Sequence, residues 1–87
     1  MVANWKMNPN SPEQALENFL QIKKVAKKYK YVTTVICPSA VHMGLFYKKT
    51  SENCLLGGQG GDIEDVGAKT GLVSLEQYKK MGAEYVI

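Results

Sequence analysis

The sequence contains no arginine, and all eleven of its basic residues are lysines. Proteins that bind nucleic acids usually use arginine for bidentate contacts to bases and phosphates, so this absence counts against that class. No apolar run approaches the roughly 18 residues that a membrane-spanning helix needs. No charged amino-terminal region followed by an apolar stretch resembles a signal peptide. The expected location is therefore the cytoplasm, with no membrane partner.

Cysteine is scarce, with only Cys37 and Cys54 present. Cys37 ends one predicted strand and Cys54 begins the next. If these strands are parallel, the two residues lie at opposite ends, separated by about five residues at ~3.3 Å each. That distance exceeds the ~7 Å limit between the Cα atoms of a disulfide. We expect two buried, reduced thiols.

A chain of 87 residues allows one small domain at most. Its 45% apolar and 22% charged residues are typical of a folded globular protein, so disorder is not expected. The net charge of +3 favours attraction of a small anion.

Residues 3–8 are predicted to form a short strand that ends at a Pro-Asn-Ser-Pro turn. Strand alternation would place Asn4 and Lys6 on one face, with Trp5 and Met7 on the other. A cation beside an amide at the carboxyl end of a strand suits an anionic ligand. An amphipathic strand with a solvated lysine is the alternative.

The next stretch carries a helix start, with Ser11 as N-cap, Pro12 in the first turn and Gln14 placed to close a capping box. On the predicted helix, lysines lie on the side opposite the apolar stripe, which predicts an outer face exposed to solvent. The alternative is that this lysine face binds RNA or a membrane. These lysines are Lys24, Lys27 and Lys28. The apolar stripe is predicted to consist of Ala15, Phe19, Ile22, Ala26 and Tyr29, with Leu16 and Val25 at its borders.

Residues 31–37 are rich in β-branched side chains and predict a second strand. Ser39 is placed to cap a helix that runs to about Lys49. Its inward-facing residues are predicted to be Val41, Met43 and Leu45. The single histidine, His42, is expected to be an ordinary residue of that helix, because no partner or pocket for a catalytic base is evident.

A third strand is predicted at residues 54–58, followed by a long polar loop over residues 59–71, which favours a binding or contact role. Ser74 and Gln77 form a second capping box, and Gly82 would end that helix before a fourth strand starting near Glu84. The order β-α-β-α-β-α-β predicts an α/β fold with a parallel sheet. A doubly wound, flavodoxin-like sheet would show the same alternation.

Several motifs occur in a fixed order along the whole chain. They are Asn4-Trp5-Lys6-Met7-Asn8, Cys37-Pro38, Leu56-Gly57-Gly58-Gln59, Gly67-Ala68-Lys69-Thr70-Gly71-Leu72-Val73-Ser74 and Glu84-Tyr85-Val86-Ile87. Together they resemble the first third of the triose-phosphate isomerase family. The resemblance implies a partial (β/α)8 TIM barrel, because three and a half βα units cannot close a barrel of eight. Residues 1–87 are then expected to be the amino-terminal portion of a single TIM-barrel domain in a longer protein.

The resemblance also implies an activity, the interconversion of dihydroxyacetone phosphate and glyceraldehyde 3-phosphate in glycolysis and gluconeogenesis. The reaction proceeds by proton transfer through an enediol, without cofactor or metal. Lys6 matches the catalytic lysine that binds the substrate phosphate and stabilises developing negative charge. Asn4 matches the asparagine that binds and orients the substrate. The family's electrophilic histidine and glutamate base find no match here, so the isolated chain is expected to be inactive.

A two-fold homodimer of the full-length protein is implied as well, in which the loop of residues 59–74 inserts into the neighbouring subunit. The interface residues implied by the match are Met7, Gln59, Lys69, Thr70 and Gly71. Two positions depart from the family pattern. Leu72 stands where a glutamate is usual and Gly60 where an asparagine is usual, and both changes put the strength of the dimer in question.

Two other interpretations have specific sequence features. Ala68-Lys69-Thr70 is similar to the end of a phosphate-binding P-loop, but the two glycines that motif needs are replaced by Ala68 and Ile63, which argues strongly against it. The second is a non-catalytic α/β interaction module that uses the lysine-rich helix face of residues 23–30. Steeply salt-dependent binding to RNA or anionic lipid would favour it.

Overall fold

Four parallel strands alternate with helices in the computed structural model, which describes all residues from 1 to 87. The elements are β1 (Val2–Asn4), α1 (Pro12–Ala26), β2 (Thr34–Cys37), a 3₁₀ helix (Ala40–Phe46), β3 (Cys54–Gly58), α2 (Leu75–Lys80) and β4 (Ala83–Val86). The strands lie side by side in the order β1-β2-β3-β4, each parallel to its neighbour. The predicted α/β alternation with a parallel sheet is confirmed.

Only one of the two hydrogen bonds of the capping box predicted at the start of α1 is present. Ser11 Oγ accepts a hydrogen bond from the backbone N–H of Gln14 at 3.1 Å, so the N-cap is present. The side chain of Gln14, however, donates to Asn18 Oδ1 at 2.8 Å. This partner one helical turn further on replaces the return bond to Ser11, and the predicted capping box at this helix is wrong.

The buried face of α1 covers fewer residues than the apolar stripe predicted from the sequence. Ala15, Phe19 and Ala26 are buried, whereas Val25 is 54% and Tyr29 62% exposed. The helix ends at Ala26 and the chain then turns, so the helical spacing that placed Tyr29 in the stripe no longer applies. That assignment was wrong. The lysines of the outer face are exposed, as predicted.

The second predicted helix is a 3₁₀ helix that ends at Phe46, three residues before the expected end, and Ser39 makes no side-chain cap bond. With three residues per turn, Met43 and Phe46 lie on the same side of the helix, and both are buried. Val41 lies off that side and is 81% exposed. The prediction that Val41 packs inward was wrong.

The core joins the helices to the two central strands. The rings of Phe19 and Phe46 stack with centroids 4.6 Å apart, and Trp5 meets Phe46 edge-on at 5.9 Å. The cluster comprises Ala15, Phe19, Ala26, Ile36, Met43, Phe46, Cys54, Leu56 and Tyr78. Aromatic packing therefore links β1, α1 and the 3₁₀ helix in one unit.

β2 begins at Thr34, three residues after the predicted start. The preceding residues form turns instead, with hydrogen bonds from the N–H of Tyr29 to the carbonyl of Ala26 and from the N–H of Val32 to the carbonyl of Tyr29, both at 3.0 Å. The segment therefore forms turns rather than a strand, although its β-branched side chains favour a strand.

α2 and its boundaries follow the sequence closely. The N–H of Ser74 donates to Gln77 Oε1 at 2.9 Å, and the N–H of Gln77 donates to Ser74 Oγ at 3.0 Å. Gly82 has a φ of 90°, directly after the C-cap, Met81. The predicted capping box and glycine stop are therefore confirmed.

Both cysteines are free and buried, as predicted. Cys54 pairs with Thr34 at the start of β2, whereas Cys37 lies at the other end of that strand. Burial raises the pKa of both thiols, and for Cys54 the nearby charge of Lys23 partly opposes that rise. Their position at opposite ends of neighbouring parallel strands keeps them apart.

Asn53 holds the end of α1 to the start of β3. Its Nδ2 lies 2.8, 3.1 and 3.2 Å from the carbonyl oxygens of Ala26, Tyr29 and Val32. The carbonyls of Ala26 and Tyr29 also accept backbone hydrogen bonds in the turns, so the Asn53 amide is a second donor to these two and bonds the carbonyl of Val32 as well.

Replacing Asn53 with alanine is expected to lower the free energy of unfolding by about 2 kcal/mol, because the side-chain hydrogen bonds that join it to the end of α1 and the following turn are lost. Asn53→Asp should cost more, since a carboxylate would face the same carbonyls. Urea unfolding measures both. Asn10→Ala, an exposed control, should leave the midpoint unchanged; an aspartate variant as stable as the alanine variant would contradict the assignment.

Candidate functional site

The carboxyl ends of the first three strands meet at one border of the sheet. The N–H of Trp5, directly after β1, donates to the carbonyl of Cys37 at the end of β2 at 3.0 Å. Gln59 directly follows β3. In parallel α/β sheets, ligands bind at this border, outside the carboxyl ends of the strands. The predicted residues Asn4 and Lys6 therefore lie where a ligand site is expected.

Lys6 adopts a left-handed backbone conformation with a φ of 57°, which is uncommon for a residue other than glycine. Its N–H donates to Asn4 Oδ1 at 2.9 Å, and its carbonyl accepts from Gln59 Nε2 at 2.9 Å. The backbone is thus held on both sides of its strained residue. Such conformations persist only where the surroundings fix them, and they cluster at functional sites.

The strand prediction for residues 3–8 was wrong in extent, because β1 ends at Asn4. The alternation rule therefore does not reach Lys6. Asn4 and Lys6 are brought together by a turn in which an asparagine side chain bonds the backbone two residues on. Asn4 and Lys6 are both exposed at this border.

Gln59 connects the ends of three strands, a role that sequence reasoning missed. Its Nε2 donates to the carbonyl of Lys6 at 2.9 Å and to the carbonyl of Cys37 at 2.8 Å. The match to an interface loop gave Gln59 a different role, contact with a partner subunit. The only local signal was a polar residue placed directly after a buried Gly-Gly strand end.

The loop that follows is closed at its base. The N–H of Asp62 donates to the carbonyl of Val73, and the N–H of Leu75 donates to the carbonyl of Asp62, both at 2.9 Å. The tip residues Thr70 and Gly71 are exposed, and Gly71 has a φ of 81°. The loop therefore projects from a fixed base.

An ion pair crosses this loop. Lys69 Nζ lies 2.8 Å from Asp62 Oδ2 and 3.5 Å from Glu64 Oε1. The hydrogen bond from Lys69, together with one from the N–H of Glu64, lowers the pKa of Asp62, and the bond to Asp62 raises the pKa of Lys69. Leu72, where the family's glutamate was expected, is 59% exposed. The loop thus contains an internal ion pair that does not need a glutamate at that position.

The remaining predicted residues lie apart from these contacts. Met7 is 88% exposed. His42 is buried on the 3₁₀ helix, and its Nδ1 has no hydrogen-bond partner. No group of three or more His, Cys, Asp or Glu side chains is placed to hold a metal ion. None of the helices combines the length and the apolar character needed to cross a membrane.

Comparison with known proteins places the chain in a family. The family model described as triosephosphate isomerase matches residues 1–87. Relatives of that name include proteins of Alkaliphilus oremlandii, 38% identical over 87 residues, and Natranaerobius thermophilus, 34% identical over 87 residues. Each match includes 100% of this chain, which spans 35% and 34% of the respective relative's length.

A solved structure supports the same relationship. The crystal structure of triosephosphate isomerase from Bartonella henselae superimposes with a TM-score of 0.82 at 31% identity, over 99% of this chain and 35% of that one. The predicted partial TIM barrel is confirmed, and the alternative of a lysine-faced interaction module is not supported. The chain belongs to the triosephosphate isomerase family.

Proposed function

We propose that residues 1–87 form the amino-terminal portion of a single TIM-barrel domain that isomerises dihydroxyacetone phosphate and glyceraldehyde 3-phosphate in the cytoplasm, in glycolysis and gluconeogenesis. The observation that carries the proposal is the geometry of Lys6. Its strained backbone is held from both sides at the carboxyl ends of parallel strands. Strain that the fold sustains at this border of the sheet supports a functional role for Lys6.

Lys6 supplies a fixed positive charge in this proposal. The ammonium binds the phosphate of the substrate and stabilises the negative charge that develops on the substrate oxygen as the enediol forms.

Asn4 orients the substrate, and its hydrogen bond to Lys6 defines which of its atoms is available. A backbone N–H can only donate, so the atom of Asn4 that faces the Lys6 N–H is the carbonyl oxygen, Oδ1. The side-chain Nδ2 is left to donate to the substrate. A correctly positioned donor of this kind lowers the barrier by fixing orientation.

The proton transfers themselves need groups that these 87 residues do not provide. The single histidine is 6% exposed and lies on the 3₁₀ helix, where it packs as a buried residue. We therefore propose that an electrophile and a base come from additional polypeptide, and that the 87 residues alone do not turn over substrate. No cofactor or metal enters the proposed reaction.

The loop of residues 59–74 is proposed to contact a second subunit across a two-fold axis. Thr70 and Gly71 at its tip and Met7 after β1 are exposed and available for such a contact. Lys69 and Gln59 would act from within the loop, since each is bonded inside the chain. A homodimer would then bring the loop of one subunit to the other.

A graft tests the proposed activity. The matching 35% of the Alkaliphilus oremlandii protein is replaced with this chain, and isomerisation is measured with a coupled assay. The graft should be active, whereas the same protein lacking the matched segment should not. A graft that shows native circular dichroism and elutes as a folded protein, yet has no isomerase activity, would overturn the proposal.

A further inference from the structure

A polar cleft lies at the end of the sheet opposite Lys6. Its volume is about 430 Å³, no hydrophobic residue lines it, and its walls are Lys27, Lys30, Thr33, Ser51, Glu52 and Asn53. These residues follow α1 or precede β2 and β3, so the cleft opens at the amino ends of those strands. It is therefore separate from the site proposed for the isomerase substrate.

The floor of the cleft is rigidly held. Ser51 and Cys54 exchange two backbone hydrogen bonds, with N–H to carbonyl distances of 3.0 and 3.3 Å. The carbonyl of Asn53 accepts from the N–H of Thr34 at 2.9 Å, and its side chain is bonded to the end of α1. A ligand would meet walls that are already in position, which lowers the entropic cost of binding.

Ser51 brings an unused hydrogen-bonding group to this floor. Its Oγ is buried and has no hydrogen-bond partner within the chain. Leaving a buried hydroxyl unsatisfied costs about 1–3 kcal/mol, and folded proteins contain few such groups. A rotation of the Ser51 side chain about its Cα–Cβ bond would turn this hydroxyl toward a ligand oxygen in the cleft, which would accept its hydrogen bond.

The charges of the cleft favour an anion. Lys27 and Lys30 contribute two positive charges and Glu52 one negative charge, which leaves a net charge of +1. The carboxyl end of a helix is unfavourable for anions. Here, however, the carbonyl of Ala26, the last residue of α1, is already bonded to Asn53 Nδ2.

We propose that this cleft binds a phosphate group, held by the ammonium groups of Lys27 and Lys30 and by the hydroxyl of Ser51. Lysine is a common phosphate ligand because it offers a compact positive charge. A volume of about 430 Å³ also accommodates a small organic group attached to the phosphate. The ligand is thus free phosphate or a small phosphorylated metabolite.

The test uses the full chain carrying Lys6→Ala, so that the proposed isomerase site does not contribute to binding. Inorganic phosphate and, separately, glucose 6-phosphate are titrated while the amide resonances of Ser51 and Asn53 are followed by NMR. Saturable shifts are expected. Lys27→Gln combined with Lys30→Gln should raise the Kd by about tenfold or more, because two charge-assisted hydrogen bonds are lost. Glu52→Gln should lower the Kd.

The matched control combines Lys24→Gln with Lys28→Gln, which removes the same charge from exposed lysines that do not line the cleft. An unchanged Kd in this control supports the site, whereas an equal loss would reveal general attraction and overturn it. Shifts that never saturate would overturn it too. Equal affinity for the two probes identifies free phosphate as the ligand, and tighter binding of the sugar phosphate identifies a metabolite.

Discussion

Lys6→Ala in the active graft is expected to lower kcat/KM by about a hundredfold or more, the usual effect of removing one electrostatic stabiliser of a transition state. The loss should appear in both kcat and KM, because the proposed ammonium binds the phosphate in the ground state and stabilises charge in the transition state. Steady-state kinetics with the coupled assay measure both constants.

Two further variants separate the charge of Lys6 from its backbone strain. Lys6→Gly should be as inactive as Lys6→Ala, yet more stable than the alanine variant by about 1–2 kcal/mol, because glycine adopts a positive φ without steric cost. Lys24→Ala removes a lysine from the exposed face of α1 and should leave kcat/KM unchanged. An alanine variant that stays within about tenfold of the unmodified graft would show that Lys6 lacks the proposed role.

Phe46→Ala is expected to lower the free energy of unfolding by about 3–5 kcal/mol, as expected for removal of a fully buried aromatic side chain. Phe46 is fully buried, stacks on Phe19 and receives the edge of Trp5. Its removal leaves a cavity between three elements and also eliminates two aromatic contacts. Urea unfolding followed by circular dichroism measures the change.

The control for Phe46 comes from the same 3₁₀ helix. Val41→Ala truncates a side chain that is 81% exposed and should change stability by no more than about 0.5 kcal/mol. Phe46→Leu should fall between the two, because leucine fills part of the space. Equal effects of Phe46→Ala and Val41→Ala would contradict the packing of the 3₁₀ helix described above.

The elements that could be predicted correctly are those with signals a few residues apart. The capping box of Ser74 and Gln77 and the glycine stop at Gly82 each involve neighbours in the chain, so their geometry is encoded locally. The 3₁₀ helix was harder. Its composition suits either helix type, and only the burial of Met43 and Phe46 against α1 and the sheet selects the tighter winding.

The candidate site also has features that the sequence predicted and features that it did not. Motif order identified Asn4 and Lys6 as candidates, and the structure places both at the carboxyl ends of the strands. The pattern did not reveal that β1 stops at Asn4, that Lys6 has a φ of 57°, or that Gln59 bonds its carbonyl. The last contact joins residues 53 positions apart, a separation at which sequence pattern carries no geometric information.

The amino-acid sequence by itself determined the alternation of strands and helices, the free cysteines and the family, because each depends on short-range preferences or on motif order. Tertiary packing decided which face of the 3₁₀ helix is buried and how Gln59 holds the backbone of Lys6. It also brought Lys27, Lys30 and Ser51 to one cleft. These features depend on contacts between distant segments, whose free energy outweighs local preference only once the chain has folded.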